Sequence, residues 1–178
     1  MTTRRDPTRG DLRRSSPGGL LATCALVLLS APALLSGQSA DEAAVSGVLD
    51  ALHQAASDAD FERYFGLYAE DFIFLGTDAT ERWDRAQFME YARGPFSQGR
   101  GWTYTMTERH VYVAADGRTA WFDERLDNDN LGETRGSGAL VKGDDGWKIT
   151  QYNLTIPVPN ELAREFVARI REVAGGGR

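Results

Sequence analysis

The sequence predicts an α+β fold in which helices cover one face of a curved antiparallel sheet. Three observations predict it. Apolar residues recur at spacings of three and four between positions 45 and 92, and they alternate in four runs between 102 and 156. Turn signals, "ADG", "NDNLG" and "GDDG", separate those runs at hairpin spacing.

Residues 1–40 stand apart from this pattern. Arg4, Arg5, Arg9, Arg13 and Arg14 form a basic lead, and "GGLLATCALVLLSAPALL" supplies an apolar run ending in small residues, which is the layout of a secretory signal. Gly and Pro interrupt the run, so it makes a poor membrane span. Ala31-Pro32-Ala33 and "SGQSA" are the candidate cleavage points. Cys24, the only cysteine, lies within the apolar run, so the exported product is expected to hold no disulfide, thiolate nucleophile or cysteine-based metal site. Five Arg against Asp6 and Asp11 give this segment +3. The remainder of a chain whose total is −6 therefore carries −9, which disfavours a nucleic-acid-binding surface. The expected organisation is a signal region, 1–40, one domain, 41–173, and a disordered Gly-rich tail, 174–178.

Within the domain, Val45, Val48, Leu49, Leu52 and Ala56 define a helix over 41–57. Asp60 caps a second helix carrying Phe61, Tyr64, Phe65 and Tyr68. "FIFLG", 72–76, reads as a short strand. Asp84 followed by Gln87 is a capping-box pattern opening a third helix, with Phe88, Tyr91 and Ala92 toward the core and Gly94-Pro95 as its end. Strands follow over 102–114, 118–127, 133–142 and 146–156. The first changes facing, from Trp102, Tyr104 and Met106 to Val111 and Val113, as a bulge would cause. Asn160 caps a last helix with Leu162, Phe166, Val167 and Ile170. Both alternating sets of 118–127 carry apolar bulk, Trp121 on one and Phe122 with Leu126 on the other. The outer face of the sheet is therefore expected to be covered, by a partner subunit or by the last helix, and a homodimer is expected.

"ADFERYFGLYAEDFIFLGTDATERW", "GWTYT", "AWFDERL", "RGSGALVK" and "GWKITQYNLTIPVPN" resemble, in order, the SnoaL-like branch of the nuclear transport factor 2-like superfamily. The resemblance implies a cone: a strongly curved sheet wrapped around N-terminal helices, with a pocket inside. It is similar in architecture to isomerases, dehydratases and polyketide cyclases, and also to binding and assembly domains without chemistry, so function rests on the site.

The candidate sites sort by chemistry. "DNDNLG" fails the calcium-loop pattern at Leu131 and Gly138 and reads as a polar turn. His53 and His110 show no zinc-ligand spacing; His53 reads as an exposed helix residue. "RGSGA" is not a nucleophile elbow, and Gly136 and Gly138 read as places where a strand bends or a side chain lies against backbone. No metal and no cofactor is expected. Acid–base chemistry rests on Asp123 or Glu124, which point to opposite faces, with Arg135 or Tyr104 to steady negative charge. The competing reading pairs one of those carboxylates with Arg135 across the hairpin. Tyr64, Trp83, Trp102, Tyr104 and Trp121 are candidate ligand-binding aromatics, and Trp83 reads equally as a hydrophobic staple on Phe88. Gln151 and Asn153 share a face with Trp147 and Ile149. If that face lines the cone they reach inward, where the resemblance implies histidines; an amide cannot act as a base. The function expected is an exported, dimeric domain binding a small, partly apolar molecule, with a cofactor-independent isomerase, cyclase or dehydratase-like enzyme, or a non-catalytic dimerisation module, as alternatives.

Overall fold

The structure, a computed structural model, describes residues 39–176; of the stretch expected to be a signal region only Ser39 and Ala40, the end of "SGQSA", fall among them, and Cys24 and Ala31-Pro32-Ala33 lie outside. Helix α1, Ala40–Ser57, begins in a capping box between Ser39 and Glu42, one residue inside the stretch set aside as leader. Its stripe Val45, Leu49, Leu52 and Ala56 is buried, as the spacing predicts. Helix α2, Phe61–Gly66, is capped by Asp60 and is shorter than expected, because Tyr68 already belongs to strand β1, Tyr68–Leu75. A three-residue strand, β2 (Arg82–Asp84), pairs back on β1 where only a lead into the next helix is legible in the sequence.

Helix α3, Arg85–Ser97, carries the predicted Asp84–Gln87 capping box. It runs through Pro95 rather than stopping there and ends where Gln98 and Gly99 donate to the carbonyls of Pro95 and Phe96. Trp83 immediately precedes the cap and stacks on Phe88 at 5.7 Å, so the staple forms. Tyr91, expected in the core, is 54% exposed.

Four long strands complete the sheet: β3 (Thr105–Val113), β4 (Thr119–Asn128), β5 (Gly132–Gly143) and β6 (Gly146–Thr155). The order is β2-β1-β6-β5-β4-β3, antiparallel throughout except for the parallel β1–β6 pair. The sheet is curved and unclosed, and the three N-terminal helices fill its concave side. The core there is aromatic: Phe65, Phe72 and Phe88 are almost fully buried, Phe72 stacks on Tyr68 at 4.2 Å, and Phe65 and Phe88 meet Tyr64 and Tyr68 edge-on or tilted.

Two bulges decide which side chains face inward. In β3 the register slips between Met106 and Glu108, so Thr107 is the extra residue and Arg109, Val111 and Val113 take the inner face. The expected change of facing is therefore real. In β6 the register slips at Thr150, because Leu140 pairs with Ile149 and Ala139 with Gln151. Trp147 and Ile149 point inward before it, and Tyr152 and Leu154 after it.

Helix α4, Ala163–Gly176, extends into the stretch read as a disordered tail. It does not cover the sheet's outer face: Phe166, Val167 and Ile170 remain 43–63% exposed, and Trp121 on the outer face is 49% exposed. No helix among the described residues is long and apolar enough to cross a membrane.

Candidate functional site

Glu124 is the one acidic side chain among the fully buried residues, and it sits mid-strand in β4 between Phe122 and Leu126. Burying a carboxylate is costly unless it is paired. Arg109 lies directly opposite on β3, and its Nε donates to Glu124 Oε2 at 2.8 Å. The guanidinium is held in turn by the Ser46 carbonyl at 3.0 Å and by Asp50 at 2.7 Å, both on α1. Its Nη2 is buried without a partner among the described residues. On the other carboxylate oxygen, Oε1, the Tyr152 hydroxyl donates at 2.9 Å and His53 Nε2 stands at 2.9 Å.

Burial alone would push the Glu124 carboxyl up. The hydrogen bond and charge of His53, with Arg109 behind, outweigh it and hold the group below the usual carboxylate range. An ionised carboxylate only accepts. His53 Nε2 therefore carries a proton toward Glu124 in either charge state, and in the neutral imidazole Nδ1 keeps its lone pair, with no hydrogen-bond partner among the described residues. The same carboxylate, after burial itself, holds the Tyr152 phenol far above its ordinary range, so that proton stays on.

His53 and Tyr152 line a cavity of about 220 Å³ between α1, α3 and the concave sheet. Its walls are aromatic. Phe74, Trp83 and Phe88 lie nearly parallel, within 15° of one another, with Tyr152 on the far side of Phe74 at 4°. Tyr64 and Trp102 meet edge to face at 5.7 Å. Tyr64 spends its hydroxyl on Tyr68 at 3.0 Å. Tyr104, 6.4 Å from the His53 ring between centroids, lines the cavity and makes no side-chain hydrogen bond among the described residues. Burial, then Tyr91, raises its phenol above the ordinary range, so it enters any reaction as a proton donor.

Gly136 makes this arrangement possible. A Cβ there would stand 2.3 Å from the Tyr152 hydroxyl oxygen and 2.9 Å from Glu124 Oε1. This is the second of the two readings its sequence context suggested.

Other expectations need correction. Arg135 is exposed on the outer face, opposite Arg125 and Thr155, so Glu124 pairs with Arg109 and the hairpin pair with Arg135 does not form. Asp123 faces outward, opposite His110 and Ser137. Trp121 is also outside, stacked on Tyr112 at 5.7 Å. Gln151 and Asn153 do not share the face of Trp147 and Ile149, because Thr150 is bulged between them; the inward residues are Tyr152 and Leu154. Tyr64, Trp83, Trp102 and Tyr104 do line the cavity. His53 is not an exposed helix residue: its side chain is 12% exposed. The sequence did carry its signal, since position 53 lies four after Leu49 and three before Ala56, on the buried stripe. Arg109 likewise shares alternation with Val111 and Val113. Among the described residues no group of three or more His, Cys, Asp or Glu side chains is placed to hold a metal ion.

A family model for the SnoaL-like domain matches residues 45–159. No curated protein matches the chain. Among solved structures, a nuclear transport factor 2-like protein of unknown function from Pseudomonas putida is 16% identical, with 70% of this chain and 93% of that one covered and a TM-score of 0.58. A candidate dehydratase of the same family from Streptomyces avermitilis is 14% identical, over 69% and 100%, with a TM-score of 0.59. A candidate ketosteroid isomerase from Parabacteroides distasonis is 19% identical, over 68% and 91%, with a TM-score of 0.53. At these identities the likeness is one of fold.

Proposed function

Because the chain belongs to the SnoaL-like domain family and the concave side of its sheet holds an aromatic cavity, we propose that the cavity binds a small, flat, largely apolar molecule and that His53 moves a proton on it. The observation that carries this reading is the His53–Glu124 contact at the cavity wall. A buried carboxylate with its charge balanced by Arg109 fixes one imidazole nitrogen, and the other is left basic beside an aromatic slot.

The simplest reaction that such a site supports is enolisation. His53 Nδ1 takes a proton from the carbon beside a carbonyl, the C–H electron pair becomes the enolate, and the proton rests on an imidazolium that Glu124 stabilises. The Tyr104 hydroxyl donates a hydrogen bond to the developing oxyanion. Returning the proton to another carbon is isomerisation; returning it to a β-hydroxyl, which departs as water while the enolate electron pair forms the new C=C bond, is dehydration. Neither needs a cofactor.

The test uses deuterium. A panel of two-ring aryl-fused ketones is incubated with the protein in D2O, and loss of the α-proton signal is followed by NMR. The expected result is exchange above the buffer rate, abolished in H53N and reduced in Y104F. Exchange in wild type and H53N at the same rate sinks the proton-transfer reading.

The same proposal has the protein exported, on the basic-then-apolar layout of residues 1–40. It also has two copies meeting through the outer face, where Tyr112, Trp121 and Val141 are 40–49% exposed. A domain serving only for assembly, with its cone filled by its own side chains, is disfavoured by a cavity of about 220 Å³.

A further inference from the structure

The cavity has an electrostatic bias that the proton-transfer reading does not use. Among the described residues lining it there is no lysine or arginine, and Glu81 is the one carboxylate. Arg109, the nearest buried cation in the cluster, is spent on Glu124 and Asp50 and does not line the space.

Glu81 is seated rather than dangling. It closes the β1–β2 hairpin, where its carbonyl accepts from the Gly76 N–H at 2.9 Å. Its side chain folds back over Gly76, and a Cβ at position 76 would fall 2.1 Å from Glu81 Oε2 and 2.9 Å from Glu81 Cβ. The only hydrogen bond this carboxylate accepts among the described residues is from the Asp78 N–H, at 3.2 Å, and no ion pair meets it. An uncompensated carboxylate therefore stands in the cavity lining, placed there by a missing methyl group.

The aromatic lining has the same preference. Trp83 and Tyr91 stack at 4.6 Å, and Tyr91 lies 6.3 Å from Trp102, all three on the cavity. Their π-faces attract a cation and repel an anion. The excess of negative charge on the chain works in the same direction at longer range.

We infer that the ligand is a flat aromatic or polycyclic compound bearing a protonated amine, with Glu81 as the residue that selects it. The amine sits against the Glu81 carboxylate, and the apolar body enters the slot between the rings. A carboxylate-bearing analogue meets Glu81 as a like charge with no lysine or arginine in the lining to offset it, and it is rejected.

This inference rests on the proposed small-molecule cavity, and the test separates the two. Three probes share one body: 2-naphthylmethylamine, 2-naphthylmethanol and 2-naphthoate. Binding is followed by quenching of the indole fluorescence of Trp83 and Trp102 and by calorimetry, at about pH 8, where a primary alkylamine is charged, in low salt. The amine is expected to bind at least about tenfold more tightly than the alcohol, a gap of about 1.4 kcal/mol, and the acid more weakly than either. In E81Q, which keeps the acceptor for the Asp78 N–H, the preference for the amine disappears while alcohol affinity stays. G76A displaces the carboxylate without removing it and is expected to do the same. Equal binding of amine and alcohol, tighter binding of the acid, or a preference that survives in E81Q overturns the assignment of Glu81 and leaves the cavity reading standing. Failure of all three probes to bind overturns both.

Discussion

Replacing Glu124 by Gln separates what the carboxylate does for the fold from what it does for His53. The two side chains have the same shape, so the cavity and the Gly136 contact are kept. In wild type the carboxylate accepts from Arg109, Tyr152 and His53, at 2.8, 2.9 and 2.9 Å. In E124Q the amide oxygen can still face Arg109 Nε, which puts the amide N–H2 toward Tyr152 and His53. His53 Nε2 then has to accept, the proton moves to Nδ1, and the nitrogen facing the ligand loses its lone pair. Where an amide replaces the carboxylate that fixes a histidine base, the loss is about 10⁴-fold in turnover. Stability falls less. Arg109 keeps Asp50 and the Ser46 carbonyl, so the cost is roughly that of turning charge-assisted bonds neutral, about 1–3 kcal/mol. For a domain of this size that lowers Tm by on the order of 3–10 °C. E124L instead leaves a buried guanidinium half-paired and costs about 3–5 kcal/mol; adding R109L removes the stranded charge and recovers much of that loss without restoring exchange. The assay is a thermal melt by circular dichroism, beside ¹⁵N spectra of the His53 ring and the deuterium-exchange rate. If E124Q retains both the Nε2-protonated tautomer and the wild-type exchange rate, or if E124L melts with wild type, the cluster does not work as described.

Three further outcomes follow from the same geometry. Since the folded Glu124 is more acidic than an unfolded glutamate, its contribution is complete above the ordinary carboxylate range and is lost as pH falls through the folded value; acid titration should destabilise wild type more steeply than E124L. G136A drives a methyl into Tyr152 and Glu124 and should cost roughly 2–3 kcal/mol by urea denaturation, with parallel loss of exchange. If two copies meet through the outer face as proposed, wild type sediments as a dimer and W121D as a monomer, with ligand binding intact because Trp121 is outside the cone.

The helices, the hairpins and the opposed facing of Asp123 and Glu124 are legible in the sequence because each rests on a local pattern: caps at Asp60 and Asp84, turn glycines, and alternation along residues 118–127; which of the two carboxylates faces the cone is not. The site is less legible because it is assembled across the chain. Glu124 meets His53 at a separation of 71 residues and Tyr152 at 28, and periodicity says only which face a residue takes. His53 and Arg109 were on the right faces by spacing, yet a histidine at the edge of an apolar stripe and an arginine within a strand read more naturally as surface residues. Gln151 and Asn153 were misplaced for a sharper reason. Thr150 offers no Gly or Pro to mark the irregularity, and strict alternation carried through it gives the wrong side.

That extra residue in β6 acts as a reading-frame control for the cone. Delete Thr150 and Ile149 becomes the direct neighbour of Gln151, so the ladder turns regular with Tyr152 and Leu154 still inward and the Tyr152 phenol still on Glu124; keep Thr150 but pair it regularly and the strand from 151 onward turns over instead. One codon can thus be lost at this point without changing the wall, because the bulge and not the count of residues sets the phase of the strand's second half. A chain built this way can absorb a one-residue change of length in β6 at the bulge and keep its lining, so the cavity wall is protected where a regular strand would have exchanged it wholesale.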